Sequence, residues 1–296
     1  MTENVSDPGA IFLFAVLSLL VLIIAWKRDF FAHSFETKSW FVPIRWFHVV
    51  GGFAIYFGVA TFVPPFLGAF LKRNFFSGIS IGERIGLAGW LSFFNSVLIL
   101  FFVGLFAFSF PPTVRKQIWR REGEEKRPYS DDVSFAAFAW LVSFPLVLFL
   151  SQLLDWLVTY LFSVQNIPEQ LAVHFLKMTF GYPLYLTLTL STIIIFAPLI
   201  EETLFRGLLQ TFIRRHLGSK QAIGITSALF SLFHYSPEQG LGNIPIVGAL
   251  FVLALFLGFV YEKKGSLLAP ISLHAFFNLI SVLNLYFLGG FPKGPL

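Results

Sequence analysis

Apolar residues run along this chain in long blocks broken by short polar interruptions. Windows of about 20 residues resolve eight runs, at 8–26, 46–70, 85–110, 133–162, 180–213, 222–235, 244–261 and 267–288. Each is predicted to be a helix, because only helices and closed barrels satisfy every backbone group inside a bilayer. Two runs depart from spanning length. The sixth is short, and a helix over the fifth reaches roughly 50 Å against a hydrocarbon core of roughly 30 Å. The fifth must tilt, kink or extend beyond the bilayer, and Pro183 and Pro198 are available to break its hydrogen-bond ladder.

Composition agrees with this pattern. With 296 residues, 56% hydrophobic and 12% charged, and a mean hydropathy of +0.76, the chain has too little polar surface to cover a soluble globule. The expected fold is an all-α, polytopic membrane bundle of about eight transmembrane helices, a single integral membrane domain over 1–296 with no repeat, low-complexity tract or linker. The 115–132 stretch is the one long charged interruption, and a solvated cytoplasmic loop explains it. Glu3 and Asp7 precede the first run with no Lys or Arg ahead of it, the opposite of a signal peptide, so that run is expected to be a retained span. The absence of cysteine excludes disulfides, thiolate catalysis and Cys-ligated metal.

The net charge of +5 comes from basic residues in short loops, where they contact headgroups and set orientation, so nucleic acid is not an expected partner. With the N-terminus outside, 15 of the 21 Lys and Arg residues fall in inner loops and 5 in outer segments, leaving Arg206 within a span. This asymmetry predicts N-out and C-out in the plasma (inner) membrane.

The apolar runs also hold groups that are costly in hydrocarbon. Glu201, Glu202 and Arg206 form E-E-x-x-x-R, Phe230 and His234 form F-x-x-x-H, and His274 and Asn278 form H-x-x-x-N. Ionisable side chains at mid-bilayer cost roughly 2.5 to 3.5 kcal/mol each, so their accumulation in three successive segments points to use. Counted from the nearest basic anchor, Glu201, His234, His274 and Asn278 lie at roughly 15 to 21 Å if the segments are straight helices. A common depth predicts a shared pocket.

Helical spacing assigns faces. Glu202 and Arg206 are i and i+4 with the acid first, the favourable order for an ion pair, which leaves Glu201 on a face about 100° away. His274 and Asn278 share one face, as do Phe230 and His234. One buried glutamate, two histidines and an amide suit attack by water on a carbonyl, with Glu201 as general base and imidazole or amide donors for the oxyanion. Each residue also has a structural reading. His234 alone is explained by a helix-to-helix hydrogen bond, and Glu202 with Arg206 by an internal ion pair. His33, His48, His174 and His216 lie at span ends. Gly51-Gly52 and Gly86-x-x-Gly89 read as close helix contacts, the 40 Phe residues as lipid-facing and packing bulk, and Gln152 and Asp155 as cavity-lining or bundle-capping groups.

Together the three motifs, in order and in membrane helices, resemble the CAAX-protease and bacteriocin-processing (CPBP, or Abi) family of intramembrane endopeptidases. Gly265-Ser266-Leu267-Leu268-Ala269-Pro270-Ile271 ahead of His274 resembles the family's approach to its last motif, and the likeness spans the motif-bearing core at about 180–281. The resemblance implies a conical cavity open to the cytosol, Glu201 activating water together with His234, His274 and Asn278 holding the oxyanion, and Glu202 and Arg206 supporting the site. It implies hydrolysis of a peptide bond in a membrane-anchored peptide or protein, prenylated CAAX-type or bacteriocin-like. The cofactor stays open between none and zinc, the latter on Glu201, His234 and His274. Two other readings stand beside it: a motif-retaining scaffold or bacteriocin-immunity protein that binds a partner, and a proton-coupled transporter. The transporter expects polar residues in both halves, and the first four spans carry little charge apart from Asp155.

Overall fold

The computed structural model describes residues 7–32, 43–76, 80–121, 127–164 and 170–288, and among these the chain is helical with no strand. His33, Lys38, Lys126 and Lys293, which entered the sequence reading, lie outside the described residues. We number the helices α1 (Pro8–Lys27), α2 (Trp46–Asn74), α3 (Ile81–Phe108), α4 (Pro112–Trp119), α5 (Tyr129–Phe162), α6 (Leu171–Thr179), α7 (Pro183–Leu217), α8 (Ser219–Phe233), α9 (Asn243–Lys264) and α10 (Leu268–Leu288).

Local chemistry sets several of these boundaries. Asp7 caps α1 by accepting from the Gly9 amide at 3.0 Å, with Pro8 in the first turn where its missing N–H costs nothing. Ser80 and Glu83 form a reciprocal capping box at the start of α3. Gly265 ends α9 in the left-handed region at φ +59°, donating its amide to the Tyr261 carbonyl at 2.9 Å.

Seven of the helices are long and apolar enough to cross a membrane: α1, α2, α3, α5, α7, the stretch 237–264 that contains α9, and α10. The protein is an integral, multi-pass membrane protein. The eighth expected span is α8, whose 15 residues make about 22 Å of helix, short of the hydrocarbon thickness. Two helices escaped the hydropathy reading. In α4, embedded in the expected 115–132 loop, Val114 and Ile118 are buried while Arg115 lies over the Phe108 ring. Eight residues of mixed polarity are too few to register in a 20-residue window. The other, α6, is equally short.

The chain folds as two compact units. The first comprises Met1–Phe41, Gly123–Gln170 and Ile213–Leu273. In it α5 packs on α1 and α9, and α8 packs on α9. Half of the 237–264 span is buried, against 11% of α1, so α9 is the centre of this unit and α1 its lipid-facing wall. One end of the unit is tied by polar groups. Lys263 Nζ donates to the carbonyls of Asp29, Phe30 and Ala32, and Arg127 donates to the Lys264 carbonyl at 2.8 Å. Glu262 pairs with Arg214 at 3.1 Å and accepts from Ser219 at 3.3 Å, and Lys264 lies 3.8 Å from Asp132.

These contacts decide how many times the chain traverses the unit. The end of α7, the start of α8 and the end of α9 all meet at Glu262, so α8 and α9 run antiparallel. The chain must therefore pass from that end to the opposite one between Ser219 and Asn243, and α8 with the turn after it makes the passage despite its length. Basic residues of three expected inner loops, Arg127, Arg214, Lys263 and Lys264, gather here, and the N-out expectation puts this end on the cytosolic side. The expected result is that Leu217→Cys and Tyr235→Cys, placed singly in this cysteine-free chain, react with a membrane-impermeant thiol reagent from opposite faces, Leu217→Cys from the cytosolic one. Labelling of both from one face would make α8 a re-entrant segment.

The second unit comprises Val42–Glu122, Leu171–Phe212 and His274–Leu296. Here α2 packs on α3, and α3 on the first part of α7. The two glycine pairs allow close approach, as their spacing predicts. A Cβ on Gly52 would stand 2.6 Å from Leu208 Cδ1, one on Gly51 would meet the Phe106 ring, and one on Gly86 would meet the Tyr185 ring. The Gly52 contact, with the Phe53 and Phe205 rings edge-on at 5.2 Å, seats α2 against the part of α7 that carries the motif acids.

Candidate active site

The fifth apolar run folds as one helical stretch interrupted by two widened turns. Pro183 occupies its first turn. The backbone then opens into π geometry over Thr192–Phe196, returns to α over Ala197–Glu202, and opens again over Thr203–Gln210. The first opening lies just upstream of Pro198, whose ring clashes with the carbonyl four residues before it in an ordinary helix. A π turn lets the carbonyls there point past the ring, and such turns recur at functional sites. Glu201 and Glu202 sit on the short α segment between the two openings.

Glu202 and Arg206 form the expected ion pair, at 3.1 Å with both side chains fully buried. Sequence spacing does not reveal the second partner: Glu202 Oε1 also accepts from His274 Nδ1 at 2.9 Å. A carboxylate held by a guanidinium is an acceptor, so the proton of this bond is on Nδ1. The ring's other nitrogen, Nε2, lies 4.0 Å from Glu201 Oε2. Arg206, Glu202, His274 and Glu201 thus form one chain of polar side chains, with Glu201 the more exposed of the two carboxylates at 15%. Glu201 also acts electrostatically on the hydroxyl of Tyr56 on α2, a polar neighbour that no motif signals.

Asn278, one turn beyond His274 on α10, donates from Nδ2 to the Ile193 carbonyl at 2.8 Å. This carbonyl lies in the first widened turn. The second unit therefore holds five of the seven motif residues: Glu201, Glu202, Arg206, His274 and Asn278.

His234 belongs to the first unit, where it caps the C-terminus of α8 at φ −94°, ψ 3°. Its Nδ1 is 2.9 Å from the Phe230 carbonyl, which can only accept. The F-x-x-x-H spacing thus fixes the tautomer, with the proton on Nδ1 and the lone pair of the neutral ring on Nε2. The turn that follows is clamped by Asn243, which accepts from the Ser236 amide at 3.0 Å and donates to the carbonyls of Ser236 and Gly240 at 2.7 and 2.9 Å. Gly240 is at φ +50°, ψ −125°, a conformation that needs glycine. Asn243 is a positioning residue that sequence reasoning missed, since an asparagine at the start of an apolar run looks like an ordinary helix cap.

Among the described residues, no group of three or more His, Asp and Glu side chains is arranged to hold a metal ion. The expected alternative of zinc would draw on Glu201 and His274 of the second unit and His234 of the first, and no step below is routed through a metal.

The fold and these residues define a multi-pass membrane protein with an acid–histidine site buried among its helices. Residues 183–280, about a third of the chain, match the family described as type II CAAX prenyl endopeptidase Rce1-like. An Escherichia coli protein described as an uncharacterized 24.3 kDa protein is 38% identical over 89 residues, 29% of this chain and 39% of that protein. The chain thus spans well under half the length of the curated relative it matches. No solved structure matches it.

Proposed function

We propose that this protein is an intramembrane endopeptidase that cleaves a membrane-anchored peptide by glutamate-activated water. The observation that carries the proposal is the double use of Glu202 Oε1. By accepting from Arg206 and from His274 Nδ1 at once, it holds the imidazole so that Nε2 is turned toward Glu201. A purely structural ion pair has no need of a histidine aimed at a second, partly exposed carboxylate.

In this mechanism Glu201 takes a proton from water, with His234 assisting as the family resemblance implies, and the resulting hydroxide attacks the scissile carbonyl. The oxyanion is stabilised by Nε2–H of His274 and an amide N–H of Asn278. Because Nδ1–H of His274 is committed to Glu202, an Nε2–H requires the doubly protonated ring. The proton then passes to the departing amine, and the bond breaks to give a new carboxylate and a free amine.

The proposed substrate is a lipid-anchored chain near its C-terminus, of the CAAX type, presented at the cytosolic face of the plasma (inner) membrane. The expected result is that purified protein in liposomes cleaves a prenylated peptide at least tenfold faster than the same peptide without its lipid, and keeps that activity after exhaustive dialysis against a chelator. Faster cleavage of the lipid-free peptide would overturn the substrate assignment. Loss of activity to the chelator with recovery on zinc would overturn the metal-free mechanism.

A further inference from the structure

We infer that Pro198 is a positioning residue for Asn278: by leaving the Ile193 carbonyl without a helix donor, it creates the acceptor that orients the asparagine amide. The inference rests on the proposed role of Asn278 as an oxyanion donor and deepens it. Three observations meet at one atom. In an α-helix the Ile193 carbonyl accepts from the amide of residue 197, but the Ala197 amide bonds to Thr192, as the π turn requires. In π geometry the donor is the amide of residue 198, and residue 198 is proline, which has none. The third is the Asn278 bond, 2.8 Å from Nδ2 to this same carbonyl.

The chemistry of the pair fixes the side chain's polarity. A carbonyl can only accept, so Nδ2 and not Oδ1 must face Ile193, which removes the ambiguity of an amide flip. One Nδ2–H is spent on Ile193. The other belongs to the same planar group, so its direction is set by the first bond, and it is the hydrogen that donates to the reacting oxygen. A buried carbonyl without a donor is costly, so the helix and the asparagine each satisfy a need of the other. Proline in a membrane helix is thus used here as the means of exporting one carbonyl from the helix ladder.

The test is a double-mutant cycle with Pro198→Ala and Asn278→Ala. Pro198→Ala supplies an amide that competes with Asn278 for the Ile193 carbonyl. It is expected to fold at least as well as wild type and to lower kcat about tenfold or more with KM little changed, since misplacing a group by about 1 Å costs up to about 10²-fold. Asn278→Ala is expected to lower kcat by roughly 10² to 10³. Adding Pro198→Ala to Asn278→Ala should cause no further loss of kcat, and should raise Tm more than it does in wild type, because it now satisfies an orphaned carbonyl. A Pro198→Ala protein with wild-type kcat overturns the inference. So do equal Tm shifts in the two backgrounds, or failure of Pro198→Ala to fold in both. If instead Asn278→Ala keeps wild-type kcat, the oxyanion role itself falls, and the Tm cycle still reports on the Pro198 contact.

Discussion

Glu201→Gln is expected to lower kcat by about 10⁴-fold, the upper end of what a general base contributes, while leaving folded yield and Tm at or slightly above their wild-type values. The reason is where its charge lies. Glu201 is partly exposed and lies 4.0 Å from His274 Nε2, whereas the hydrogen-bonded pair with Arg206 is made by Glu202. The amide keeps the shape and removes the proton acceptor. Turnover of the lipid-anchored peptide and thermal melting, measured on one preparation, check both halves. Wild-type cleavage by this variant would end the protease assignment and favour a motif-retaining scaffold.

Its neighbour is expected to fail differently. Glu202→Gln leaves Arg206 fully buried without its hydrogen-bonded countercharge and weakens the acceptor that orients His274. Removing one member of a buried pair costs on the order of 3 to 5 kcal/mol, a large part of a typical folding free energy. The variant should therefore show a lower folded yield and Tm, and what folds should be poorly active because Nε2 of His274 is no longer aimed. Adjacent glutamates with one codon of separation thus predict opposite phenotypes: catalysis lost with the fold retained, and fold and catalysis lost together. If the two sets of results were exchanged, so would be the roles assigned to the two carboxylates.

How far the sequence disclosed this arrangement depends on what each feature leaves in the one-dimensional pattern. The long helices are legible because a bilayer demands about twenty apolar residues in a row, and observed ends fall within a few residues of the apolar runs. The intrahelical pair of Glu202 with Arg206 is legible because side chains four apart share a face. The bond from His274 to Glu202 is not, since it joins residues 72 apart in the chain and nothing local distinguishes which of two adjacent acids meets the imidazole. Helix α8 illustrates a different limit. Its length argues against a span, and only the contacts of Arg214 and Ser219 with Glu262 reveal that it must cross its unit. Pro198 announces a break in the ladder, but not that the break takes the form of a widened turn whose surplus carbonyl is claimed by Asn278.

The clasp on α1 bears on how this protein meets its lipid surroundings. One side of that helix packs on α5, yet only Ser18 and Ala25 are buried, so the rest of its girth is left to the acyl chains. Its C-terminal end is held by one ammonium, Lys263, that three backbone carbonyls surround as they would a coordinated potassium ion, with the rings of Phe30, Phe135 and Phe259 about it. A helix moored in this way is a pennant: fixed at the staff, and steadied along its length by α5 on one side and the bilayer on the other. When detergent replaces that bilayer, α1 is the first element whose order the solvent, and not the protein, decides.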